Sequence, residues 1–166
     1  MGMGISPDIF RDAMSRFPGV VTLVTTCNGA ERRGITATAV CSVTADPPSL
    51  LVCLNKATGT CATVGESGHF NVNLLGQEAE DLALRFAGAG GVTGEEKFAT
   101  GDWRTDDKGL PYLADALLSM SCDVSERTEA GSHVVYIGQI RSVRFGEGDP
   151  LLYEQSAFRA LARMED

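Results

Sequence analysis

The chain has 166 residues, 43% of them hydrophobic and 22% charged, which suits one soluble globular domain with a real core. Its formal charge of −8 comes without a basic run, which excludes the phosphate-neutralising surface that nucleic acids and anionic membranes require. No apolar run reaches bilayer length and the N-terminus lacks a basic stretch followed by an apolar one, so the expected location is cytoplasmic, by absence of any address.

In chain order, Ser6-Pro7-Asp8 reads as a helix start, with Ser6 as N-cap, Pro7 in the first turn and Asp8 at the positive end of the dipole. Phe10, Ala13, Met14 and Phe17 then repeat at helical spacing, and Pro18-Gly19 stops the helix. Val20 to Cys27 is strand-like, and Asn28-Gly29 signals a hairpin. Residues 35–44 and 49–54 read as two strands around Asp46-Pro47-Pro48. Thr58 to Ser67 is predicted helical, Phe70 to Leu75 a strand, and Gln77 to Phe86 a helix with Ala79, Leu82, Ala83 and Phe86 on one face. A glycine-rich loop, 88–94, and a less regular stretch through Trp103 follow, then strand-like runs at 117–126, 133–145 and 150–153. Many short strands with few helices predict a mainly β barrel in a single domain, 1–166, without repeat or linker.

Several motifs carry chemistry in one reading and none in another. The five cysteines are odd in number, none is spaced CxxC, and only two histidines could help hold a metal. Cys41, Cys53 and Cys122 lie in apolar, strand-like sequence and read as reduced buried hydrophobes. Gly88 to Gly94 is not a dinucleotide fingerprint, because its spacing is wrong and it follows a helix. Thr36 to Ser42 is either a small-residue strand packed on a helix or a backbone-presenting surface that a flat ligand can approach closely. Asn55-Lys56 at a strand end and Thr58 at a helix start are ordinary turn residues or partners for an anionic tail. His69 reads as structural or surface, Asn71 and Asn73 share one side of a strand, and the carboxylates form no paired acid and base.

The segment from Gly34 to Lys56 resembles the flavin-binding signature of the flavin reductases that serve two-component monooxygenases. So do Phe10 to Met14 with Phe17 to Thr22, Ser67 to Leu75, Arg85 to Gly88, Ala130-Gly131-Ser132-His133, Ile137 to Ile140 and Pro150 to Tyr153, in order along nearly the whole chain. The resemblance implies an FMN-binding split β-barrel with a few peripheral helices, a homodimer, and an NAD(P)H:flavin oxidoreductase. Such an enzyme takes FAD or FMN with NADH or NADPH as hydride donor and hands reduced flavin to a separate monooxygenase. It implies flavin contacts at Thr36, Ala37, Thr38, Ala39, Ser42, Cys53 and Leu54, phosphate contacts at Asn55, Lys56 and Thr58, and further contacts at Phe86, Ala87 and Gly88. His133 would lie near the isoalloxazine and the nicotinamide as the catalytic residue. One departure stands out: after Tyr153 the family carries Gly-x-aromatic, whereas here Glu154-Gln155-Ser156-Ala157-Phe158 keeps the aromatic without the glycine. A flavin- or haem-binding barrel without turnover, and an adaptor barrel without cofactor, are the alternatives.

Overall fold

A computed structural model describes residues 4–162 and 164. The first helix, α1 (Pro7–Ser15), starts at Ser6, whose hydroxyl accepts a hydrogen bond from Ile9 N–H at 3.3 Å. No residue of this helix is buried. Strands β1 (Gly19–Val20), β2 (Thr22–Asn28) and β3 (Glu31–Ala37) follow, the last two a hairpin turning at Gly29, whose φ of 69° suits glycine.

The expected single strand at 35–44 is two strands. β3 ends at Ala37, Thr38 and Ala39 link it onward, and β4 (Val40–Ala45) begins at once. β5 (Pro48–Asn55) returns alongside β4 after a turn with a cis Asp46–Pro47 bond. Then come α2 (Gly59–Ser67), β6 (His69–Leu74), a 3₁₀ turn at Gln77–Ala79 and α3 (Glu80–Phe86). The hairpin β7 (Trp103–Thr105) and β8 (Pro111–Leu113) lies in the stretch that reads as irregular in sequence. The long strands β9 (Leu118–Ala130) and β10 (His133–Phe145) follow, and β11 (Leu152–Glu154) and β12 (Ala157–Arg159) close the fold.

Seven strands form one antiparallel sheet in the order β3-β2-β6-β9-β10-β5-β4. Its two edges, β3 and β4, are joined by only Thr38 and Ala39, so the sheet must curl until the edges meet. That makes it a barrel with a split along the β3–β4 seam. Val24, Leu50, Val52, Leu54, Phe70, Val72, Cys122, Val134 and Tyr136 fill the interior. Helix α2 closes this core: its Cys61 and Val64 join the cluster, and Thr58 caps it by accepting from Cys61 N–H.

A second core lies on the outer side of β2 and β3, where Phe86 meets Phe98 and Trp103 with ring centroids 5.0 and 5.3 Å away. Gly34 makes this contact possible, since a Cβ there would stand 2.5 Å from the Phe86 ring. Emptying it with Phe86→Ala would cost about 3–5 kcal/mol. Where the sequence lacks the expected C-terminal glycine, Gln155 and Ser156 form the β11–β12 turn at φ of 47° and 60°. L-residues tolerate that region poorly, which is why a glycine suits this turn.

Candidate flavin and nicotinamide site

The residues singled out in the sequence are distributed between the β3–β4 seam, the cores and the β5–α2 turn. Thr36 and Thr38 lie on the α3 side, and with Ala87, Leu84, Tyr153 and Phe158 they border a slot of 260 Å³. Thr36 spends its hydroxyl on the Ala83 carbonyl. Thr38 is exposed, and among the described residues its hydroxyl has no partner. Ala37 packs on the barrel core. Ala39 is exposed, and its carbonyl accepts from Cys53 N–H at 3.1 Å, tying the slot to β5.

From there the track continues along the outer face of β5 and β10. Cys53 stands opposite Val135, and Asn55 opposite His133. Lys56 N–H donates to Ser132 O at 3.0 Å, so the β5 exit and the β9–β10 turn carrying His133 are stitched together. His133 is exposed, with Nδ1 2.9 Å from Ser132 Oγ. Burial, with nearby Cys41 second, pushes the Cys53 thiol up, which keeps it protonated and disfavours a nucleophilic role. Ser42 is exposed on β4, but it stands opposite the core residue Leu50, so it faces away from the Cys53 side. Cys41 is exposed as well, in contrast to the buried role its apolar surroundings suggest, because β4 is an edge strand without an outer neighbour.

Two predicted contacts are core residues. Leu54 is 1% exposed and Phe86 is 0% exposed, so only their main chains are open to a ligand. Gly88 ends α3 at a φ of 93°, and Arg85 of the same motif donates to the carbonyls of Glu96 and Lys97, bracing the loop over the Phe86 cluster.

The anion-binding candidates at the β5–α2 turn are partly committed already. Asn55 Oδ1 accepts from Ala57 N–H at 2.9 Å, leaving its amide donors outward. Thr58 Oγ1 donates to Asn55 O at 2.8 Å and accepts from Cys61 N–H at 3.2 Å, so its hydroxyl is consumed by the cap. Lys56 Nζ lies 2.6 Å from the Glu129 carboxylate. Its side chain is aimed into a 330 Å³ cavity beside α2, together with Arg127 and Tyr136. The Tyr136 hydroxyl, pushed up to about 12 by burial and by Cys61, stays neutral and donates to Cys61 O at 3.0 Å. A larger groove of 630 Å³ lies on the far side of the α2 N-terminus between Arg33, Thr58 and Lys97, with Glu31, Glu95 and Glu96 beside them. It takes in only Thr58 of the predicted set.

Residues 14–162 match the flavin reductase like domain. The chain belongs to the flavin reductase-like family. This flavin reductase-like chain is 43% identical to an FMN reductase (NADH), RutF 1, of Methylorubrum extorquens over 155 residues, covering 93% of this chain and 76% of that protein. It is 39% identical to the reductase component of 4-hydroxyphenylacetate 3-monooxygenase of Salmonella typhi, covering 90% of this chain and 88% of that one. The NADH:FAD oxidoreductase SgcE6 of Streptomyces globisporus, solved in complex with NAD and FAD fragments, superposes with a TM-score of 0.88 at 27% identity, over 99% of this chain and 100% of that one. Sequence reasoning did not single out as contacts Glu129, Tyr153 and Phe158, which line cavities next to the candidate residues. The short β11–β12 hairpin brings Tyr153 and Phe158 to the slot beside the seam, and the pairing of β9 with β10 brings Glu129 to the cavity beside α2.

Proposed function

We propose that this chain is an NADH-dependent flavin reductase that supplies reduced FMN or FAD to a separate monooxygenase. The observation that carries the reading is the run from the Thr36–Thr38 slot through Ala39, bonded to Cys53 N–H, along the β5–β10 register to Asn55 and His133. Its donor set fits a flavin: an apolar slot rimmed by hydroxyls for a flat ring, small residues along the seam, and amide and ammonium groups at the strand end for a phosphate. At 260 Å³ the slot lies just under the roughly 300–1,000 Å³ of pockets that enclose a whole ligand, so it suits a ring system with its tail outside.

The bound cofactors supply the hydride chemistry itself. The chain's part is to hold the two rings in register and aim donors at developing negative charge. Thr38 and Ala39 allow close approach, β3 as an edge strand presents unpaired main-chain groups, and His133 brings an exposed imidazole beside the Asn55 amide. Absorbance loss of NADH on mixing with FMN or FAD tests the reading; flavin binding without NADH consumption would instead indicate a binding module. Thr38→Leu should obstruct the ring and weaken flavin affinity without loss of fold. Unchanged affinity in that folded variant would move the ring elsewhere.

A homodimer completes the proposal. Helix α1 turns Ile9 (58% exposed), Phe10 (55%) and Met14 (48%) outward with Phe17 (69%) just beyond, an apolar face that its own chain leaves uncovered. Leu51, Cys53, Val135 and Ile137 make a second half-buried apolar strip on the outer face of β5 and β10. An isologous contact through these surfaces would cover both and enclose the open track. Light scattering should return a dimer at micromolar concentration, and Phe10→Glu should yield monomer with weakened flavin binding. Wild-type monomer with full activity would rule the dimer out.

A further inference from the structure

The phosphate partner assigned above, Lys56, is held by a carboxylate of its own chain. Glu129 Oε2 lies 2.6 Å from Lys56 Nζ, and Arg127 approaches the same carboxylate at 3.8 Å. The direction of this pair matters. Glu129 stands opposite Val134, and Val134 opposite Leu54. Directly opposed residues share a face of a sheet, so Glu129 points to the side covered by α2, where it and Val134 border one cavity. His133, opposite Asn55 and Ala130, points to the other side, since successive residues alternate. Lys56, the first residue beyond β5, is thus drawn away from the face that carries His133.

We propose that Glu129 is the resident counter-ion of Lys56, competing with the phosphate of incoming flavin and thereby lowering flavin affinity. The inference rests on the flavin reductase reading. A phosphate reaching Lys56 where it stands would meet the Glu129 carboxylate, a like charge. A lysine swinging out to the phosphate must first leave a charge-assisted hydrogen bond. A flexible four-carbon stem with a compact charge permits that exchange, where the fixed fork of an arginine would resist it. The side chains are 38% and 63% exposed, so the pair is weak and exchangeable: a tuning element that moderates affinity without locking the site. The Lys56 ammonium holds the Glu129 carboxyl below its ordinary range, so the competitor stays charged at neutral pH. Moderate affinity serves a reductase whose product must leave for another protein.

Fluorescence titration of FMN and of riboflavin, which lacks the phosphate, tests this at low salt on the wild type, Glu129→Gln, and Glu129→Gln with Lys56→Met. Glu129→Gln should tighten FMN roughly two- to fivefold, the scale of one exposed ion pair, and leave riboflavin unchanged. The gain should vanish when Lys56 is also Met and shrink as salt screens the pair. Unchanged or weakened FMN binding, or equal tightening of FMN and riboflavin, would overturn the proposal. A wild-type protein that binds none of FMN, FAD and riboflavin would overturn the reductase reading itself, and this inference with it; one that binds FAD but not FMN would overturn this inference alone.

Discussion

The buried seam under the β7–β8 hairpin and the open cluster at the end of β5 use the same residue types in opposite ways. In the seam, Asn73 is 0% exposed and both ends of its amide are engaged. Nδ2 donates to Leu23 O at 3.0 Å and Thr25 Oγ1 at 3.1 Å, while Oδ1 accepts from Leu113 N–H and Ser119 Oγ, each at 2.9 Å. Asn71 donates to Pro111 O at 3.0 Å, and Thr25 Oγ1 does so at 2.6 Å. These bonds fasten β8 to the sheet. At the β5 exit, Asn55 uses only its oxygen for the turn, His133 stands in solvent, and Lys56 holds a replaceable partner. A polar group whose bonds are all met within the chain builds the fold; one that keeps a donor free is available to a ligand.

The largest effect should come from breaking the seam. Asn73→Leu keeps the volume but takes the amide away from Leu23 O and Leu113 N–H in a dry interior, while the Thr25 and Ser119 hydroxyls keep Pro111 O and Leu113 O as partners. Each buried group left unpaired is costly, and the loss should total about 2–4 kcal/mol in urea unfolding. A midpoint within experimental error of the wild type would mean that water replaces the amide.

The opposite result is expected at the open cluster. His133→Ala touches no core residue, so stability should hold. Hydride transfer should slow, or the apparent KM for NADH rise, by roughly ten- to a hundredfold, which is about 1.4–2.7 kcal/mol of transition-state stabilisation. Hydride transfer needs no proton abstraction in the same step, so the imidazole's expected part is orientation and charge support. Stopped-flow reduction at wild-type rate with wild-type NADH affinity would make His133 an ordinary turn residue.

The two regions also differ in how far the sequence reveals them. Local signals were legible wherever neighbours along the chain decide the outcome: the Ser6 cap, the Asn28-Gly29 hairpin, the Thr58 cap and the Asn71/Asn73 alternation all appear in the structure as read. What the alternation could not reveal was the partners, since Pro111 O and Leu113 N–H lie 40 residues from them. The break at Thr38-Ala39 was invisible for the same reason, because every residue from 35 to 44 suits a strand and only closure of the barrel splits it. The Lys56–Glu129 pair spans 73 positions and depends on β9 running four residues beyond its expected end at 126, to Ala130. Family resemblance pointed to Lys56 but could not tell that its ammonium would pair with Glu129 on the α2 side.

The smallest expected effect concerns acid, and it acts on the seam from outside. Arg141 on β10 meets Asp107 at 2.7 Å and Asp123 at 2.6 Å and also reaches Asp106, so it clasps the β7–β8 turn to the sheet. Lys108 and His69 face Asp123 from the turn and from β6 at 3.0 and 2.8 Å. The Arg141 hydrogen bond holds the Asp107 carboxyl below its ordinary range. For Asp123, burial works the other way, but the bonds from Lys108 and His69 and the charge of Arg141 outweigh it and hold that carboxyl low too. Carboxyls depressed in the folded state stabilise it fully above their unfolded value, about 3.9, and lose that contribution as pH falls below it toward the folded value. Asp107→Asn with Asp123→Asn should therefore flatten the decline of the urea midpoint below about pH 4, at a modest cost near neutrality because both carboxylates are partly solvated. An unchanged acid slope in the double variant would assign the decline to other carboxyls and leave the hydrogen bonds of Asn71 and Asn73 as the main tether of the hairpin.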